Sequence, residues 1–234
     1  MLTKQNARRT AWLVGIAAIA LVLCSKSSPL YVLNDWMDAN IFFTMGKSMF
    51  RGKVLYRDVF DHKGPVLYFL YGLASLIDYT GFTGVLVVEI IAFALFLHCG
   101  LRTAELLAGR ALHPAWAVLP AAGIAASRAF AHGGSAEELL LPFLAFALYG
   151  AVKTLQDTHP MPLRTVALHG FLAGCALWLK YTVLGFYLAW VVAGGTAWQK
   201  RGRLPRRHGA GDPAVGHLLR RKQCAGGLVH LLLL

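Results

Sequence analysis

The chain has 234 residues, of which 57% are apolar, 15% charged and 12% aromatic, and Lys plus Arg outnumber Asp plus Glu by 23 to 11. A mean hydropathy of +0.54 excludes disorder, a disulfide scaffold, collagen and a water-soluble enzyme core, because water does not tolerate so much apolar helix surface. The basic excess is read as topology: Lys and Arg collect in the cytoplasmic loops of membrane proteins, and nucleic-acid binding is set aside. Cys24, Cys99, Cys175 and Cys224 show no metal-site spacing.

Lys4, Arg8 and Arg9 precede an apolar run at 11–24, which exits through Cys24-Ser-Lys-Ser-Ser-Pro29 without a small-x-small cleavage site. It reads as a retained first span with a cytoplasmic N-terminus. Further apolar runs cover 64–77, 84–101, 111–127, 139–152, 165–179 and 181–198. The run at 64–77 is short and carries Gly72 and Ser75, so it is read as lying along the interface. Six spans remain.

With six spans, 15 of the 23 basic residues face the cytoplasm, whereas a crossing at 64–77 with the same N-terminus leaves 5 inside and 18 outside. That violates the positive-inside rule. Seven spans with an external N-terminus give 18 inside and 5 outside, so charge alone does not choose; the basic flank of the first run and the shortness of 64–77 favour six. The expected fold is all-α, a polytopic helical membrane protein. Residues 10–33 hold the first span, 34–83 an outer loop with interfacial helices, and 84–198 five further spans. Residues 199–234, rich in Arg and Gly, read as neither a span nor a domain and match what a truncated or frame-shifted product would carry.

In the outer loop, Met37, Ile41, Met45 and Met49 recur every four residues, the mark of an amphipathic surface helix with Asp38 in its first turn. Asp38 is either a carboxylate facing a boundary site or a favourable charge at the helix dipole, with Asp35 as N-cap. Next, Tyr56-Arg-Asp-Val-Phe-Asp-His-Lys-Gly-Pro65 packs Arg57, Asp58, Asp61, His62 and Lys63 ahead of an apolar helix that Pro65 can open. Arg57 and Lys63 suit an anionic phosphate, and by themselves equally suit headgroup contact. In Ser127-Arg-Ala-Phe-Ala-His-Gly-Gly-Ser-Ala-Glu-Glu138, Gly133 and Gly134 permit a tight turn, and Glu137 and Glu138 open the next helix at its positive end. Glu89 is the acid well inside an apolar run, either catalytic or paired with Arg128 or Lys180. His98 and His169 read as packed helix residues, and Lys180, between two runs on the outer side, joins the phosphate candidates.

Asp38 in its surface helix, Gly52-Lys-Val-Leu-Tyr-Arg-Asp-Val-Phe-Asp-His-Lys-Gly-Pro65, and Gly133-Gly-Ser-Ala-Glu-Glu138 before a Leu-Pro span together resemble the N-terminal half of the GT-C membrane glycosyltransferases. The likeness is to bacterial members of the protein mannosyltransferase and lipid A aminoarabinose transferase group, over residues 10–198. The resemblance implies an enzyme of the bacterial cytoplasmic (inner) membrane that takes a sugar from a polyprenyl-phosphate carrier on the outer face. The acceptor, whether glycan, lipid or protein, stays open. It further implies Asp38 as general base, Lys63 beside the carrier phosphate, and Glu137 or Glu138 as the second-loop acid; Arg57 and Lys180, the phosphate candidates read from charge and position, would stabilise the same departing phosphate. It also implies an interfacial helix between the first two spans.

Relatives carry an acid directly before the Lys-Pro element, where this chain has His62 with Asp61 one further back. Those two are the candidate ligands of a divalent metal ion. Family chains run to about twice this length, so this one is expected to close only part of the carrier groove and to transfer little sugar alone. The competing class is a non-catalytic membrane protein, a transporter fragment or an assembly partner. Internal repeats, which would favour a transporter, are not evident between the halves.

Overall fold

A computed structural model describes residues 4–128, 130, 132–156 and 161–192; the tail at 199–234 lies outside the described residues. The helices are α1 (Lys4–Cys24), α2 (Met37–Phe50), α3 (Pro65–Ile77), α4 (Thr83–Ala108), α5 (Val118–Ala125), which continues the 3-10 turn Pro114–Ala117, α6 (Ala136–Gln156) and α7 (Leu163–Leu179). A last helix, α8, covers Tyr181–Val192. Among the described residues the only extended pairing is an isolated bridge between Leu55 and Val59, so the chain is all-helical.

Helix directions follow from contacts at the helix ends. Ser25, just past α1, meets Glu89 near the start of α4, while Arg9 near the start of α1 meets Glu105 near the end of α4. The two helices are antiparallel. Gly134 and Glu89 join the start of α6 to the start of α4, and Gln156 reaches the Leu106 carbonyl at the other end (3.0 Å), so α4 and α6 run parallel. The chain returns between them through α5. Lys180 at the end of α7 pairs with Glu137 at the start of α6, which makes α7 antiparallel to α6. One end of the bundle therefore collects Arg9, Arg102, Arg110, Lys153 and Arg164, and the other collects α2, α3 and the loops that carry the candidate residues.

Only α1, α4 and α6 among the described helices are both long and apolar enough to cross a membrane; α3, 114–125, α7 and 181–192 are shorter. At about 1.5 Å of rise per residue, 13 residues span roughly 20 Å, short of a hydrocarbon core of about 30 Å. The short α3, expected to lie along the interface, packs on α2 and α4 through Leu67, Tyr68, Tyr71 and Ala74. A second apolar cluster binds α1, α4 and α5 through Leu13, Leu21, Phe93 and Ala121.

At the basic end, Glu105 accepts from Arg9 (2.9 Å), Arg102 (3.1 Å) and the Leu112 backbone N–H (3.0 Å). This acid neutralises a guanidinium that is mostly buried between α1 and α4. Glu105→Ala is expected to lower stability by roughly 3 kcal/mol, because a buried charge loses its partner. An unchanged thermal midpoint in detergent would show that Arg9 finds water instead.

Candidate functional site

The loop after α2 turns through Gly52 and Tyr56, both at positive φ (82° and 66°), and is fastened around Lys63. Tyr56 Oη donates to the Lys63 carbonyl (2.6 Å), and the Lys63 backbone N–H donates to Tyr68 Oη (3.0 Å), which itself donates to Asp61 Oδ2 (2.8 Å). Burial, then the neighbouring Asp61, pushes both phenols up in pKa, so they stay protonated donors. The next residue must be glycine for a steric reason: a Cβ on Gly64 would lie 1.6 Å from the Trp178 carbonyl oxygen. The Lys63 loop is thereby pressed against the end of α7.

That contact frames a cavity of about 610 Å³ whose lining includes Tyr56, His62, Lys63, Trp178, Lys180 and Tyr181. Two lysines 117 positions apart in sequence thus line one hollow. Lys180 occupies the extended C-cap of α7 (φ −153°), and its amine pairs with the Glu137 carboxylate. Lys63 also lies within electrostatic reach of Glu137. Arg57 stands apart from this cavity: it forks onto Asp58 (2.8 and 3.0 Å) with its side chain 71% exposed. That partner holds the Asp58 carboxyl below its ordinary pKa.

Asp61 and His62 adjoin each other (Oδ1 to Nδ1, 3.0 Å). Among the described residues no group of three or more His, Cys, Asp and Glu converges, and Asp61 Oδ2 is already engaged by Tyr68. By themselves two donors do not make a dedicated divalent site.

Asp38 lies in the first turn of α2, half-buried, and accepts no hydrogen bond among the described residues. The expected N-cap role of Asp35 is not observed. Trp36 stands at the cap, and Asp35 instead pairs with Lys26 (2.5 Å), which lowers its pKa. The second loop folds over the start of α2: Asn34 Nδ2 donates to the His132 carbonyl (3.0 Å), and the Trp36 ring stacks on His132 at 5.2 Å. Behind Asp38, Tyr71 Oη donates to the Gly134 carbonyl (2.6 Å) and feels the Asp38 charge.

Glu137 and Glu138, equivalent in the sequence, part company here. Glu137 turns outward to Lys180, whereas Glu138 is buried and accepts from Ser135 Oγ (3.1 Å) and the Gly134 N–H (3.2 Å). Glu89 pairs with neither Arg128 nor Lys180; it accepts from Ser25 Oγ (3.1 and 3.2 Å) and from the same Gly134 N–H. Sequence reasoning passed over Ser25, Ser27, Tyr68, Tyr71 and Trp178. The two tyrosines gave the one usable signal, an i, i+3 pair of polar-tipped rings on a single face of an apolar helix.

Comparison with known proteins adds nothing to this geometry: no family model, no curated protein and no solved structure matches the chain.

Tyr68→Phe removes the hydroxyl that serves both the Lys63 N–H and Asp61. A loss of about 1–3 kcal/mol is expected, together with faster proteolysis between residues 53 and 63. A variant as stable and as protease-resistant as the parent would mean that the Lys63 loop is held by Gly64 and Tyr56 alone.

Proposed function

We propose that this chain is a membrane glycosyltransferase of the GT-C type, moving a sugar from a polyprenyl-phosphate carrier to an acceptor hydroxyl on the membrane side opposite its N-terminus. The observation that carries the reading is the meeting of Lys63 and Lys180 in one cavity with Glu137 beside them, at the same end of the bundle as an Asp38 that no described partner occupies. The ammonium groups are point charges suited to phosphate oxygens, and Glu137 holds Lys180 in place until a phosphate replaces it. Six crossings belong to the same proposal. The alternating directions of α1, α4, α6 and α7, with the return through α5, support them. The basic end then faces the cytoplasm of a bacterial cell.

In the proposed step, Asp38 takes the proton of the acceptor hydroxyl as its oxygen attacks the anomeric carbon. The bond from that carbon to the phosphate oxygen breaks, and the polyprenyl phosphate leaves with its charge against Lys63 and Lys180. Arg57, spent on Asp58, is left at the rim. The acceptor, glycan, lipid or protein, is chosen by surfaces outside this cavity.

Membranes bearing the full chain and a radiolabelled polyprenyl-phosphate sugar provide the test. Transfer is expected to fall by at least about 100-fold in Asp38→Asn; transfer that survives this change removes Asp38 from the chemistry. Carrier retention is expected to weaken about tenfold in Lys63→Ala and in Lys180→Ala, each losing a charge-assisted contact of roughly 1.5 kcal/mol. Lys47→Ala is the control, because that amine rests over the rings of Phe43 (4.2 Å) and Tyr79 (5.0 Å). Equal retention in all three variants overturns the phosphate assignment.

A further inference from the structure

Glu89 and Glu138 take no part in the step above, yet they are nearly inaccessible, at 2% and 4% exposure. One backbone N–H, that of Gly134, donates to Glu89 Oε1 and to Glu138 Oε2, and the two carboxyl groups also meet side chain to side chain. Among the described residues neither has a basic partner: Lys180 is engaged by Glu137, and Arg9 and Arg102 by Glu105. Ser27 supplies an independent observation. Its Oγ is buried without a hydrogen-bond partner, faces Glu89, and stands with Ser25 Oγ where a Cβ on Gly133 would fall (2.7 and 2.5 Å).

Two carboxylates brought to a single N–H in a dry interior repel each other strongly. A metal cation would relieve the repulsion, but the Gly134 N–H points its positive end at the same oxygens. A proton relieves it without that conflict, converting the repulsion into a short charge-assisted hydrogen bond and leaving lone pairs for the surrounding Ser25, Ser27 and Ser135 hydroxyls. We propose that Glu89 and Glu138 bind one proton between them, and that this shared proton latches the loop bearing His132, Gly133 and Gly134 over Tyr71 and the start of α6. When the proton leaves, two anions face each other across Gly134 and the loop lifts, taking His132 off Trp36 at the start of α2. The latch does not depend on sugar transfer.

Tyr71 from α3 feels both carboxyl groups of the pair and also Asp38 of α2, while Glu137 of α6 turns outward to Lys180, His132 of the loop stacks on Trp36, and Lys26, between Ser25 and Ser27 at the end of α1, is engaged by Asp35. Burial first, then Glu89, Glu138 and Asp38, holds the Tyr71 phenol well above its ordinary range, so it stays neutral throughout the test.

Hydrogen–deuterium exchange on the full chain in lipid nanodiscs reads the latch directly, with rates corrected for intrinsic base catalysis and α4 amides 97–108 as reference. Protection of amides 132–138 is expected to fall at least about tenfold between about pH 7.5 and about pH 9.5 in the wild type, as one proton is released on opening. In Glu89→Gln or Glu138→Gln, a neutral amide replaces the proton-bearing acid and keeps the bond to its neighbour, so the fall is expected to be less than about twofold. Either variant suffices if the other does not fold. Constant protection in the wild type, or an amide variant that loses protection as the wild type does, overturns the proposal. Because no transfer is measured, a failed glycosyltransferase reading leaves this result standing.

Discussion

The arrangement at the site end of the bundle depends on the peptide groups of Gly134. Its N–H is claimed by Glu89 of α4 and Glu138 of α6, and its carbonyl by Tyr71 of α3, while Ser25 beyond α1 supports Glu89 from the other side. Four helices are thus tied through one residue. In an apolar surround each of these polar groups would cost several kcal/mol if left unpaired. Glycine is required there because φ is +74° and a Cβ would meet Tyr71 Oη at 2.3 Å.

Fixing the loop in this way fixes the phase of α6, and the phase divides two adjacent acids. Successive residues on a helix point about 100° apart. With Glu138 turned inward to the Gly134 N–H, Glu137 is left facing the end of α7, where Lys180 stands as the extended residue that breaks α7 from α8. An inward acid serves the fold, and an outward acid serves the cavity.

The opposite wall of the cavity is held with comparable care. Lys63 is gripped at its N–H, at its carbonyl and through the Gly64 contact with Trp178, so it lines the hollow from a fixed backbone. Asp38 is held differently. Its helix is anchored to α3, but its carboxylate accepts nothing among the described residues.

Local pattern alone determined a good deal. Apolar runs announced an all-helical chain, of which α1, α4 and α6 are long and apolar enough to cross a membrane, the four-residue spacing of Met37, Ile41, Met45 and Met49 placed α2 with Asp38 in its first turn, Pro65 opened α3, and the paired glycines took left-handed turns at 133 and 134 (φ 75° and 74°). Each is a short-range effect, written within one or two turns of chain. Tertiary structure decided the rest. It moved Asp35 from an N-cap to Lys26, gave Arg57 to Asp58, and set Lys180 beside Lys63 and Glu137 instead of Glu89. It also left the helical stretch Pro114–Ala125 shorter than the apolar run at 111–127. Which buried acid meets which donor depends on helix phase and on contacts between residues such as Ser25 and Glu89, 64 positions apart, and periodicity along the chain carries no information about those distances.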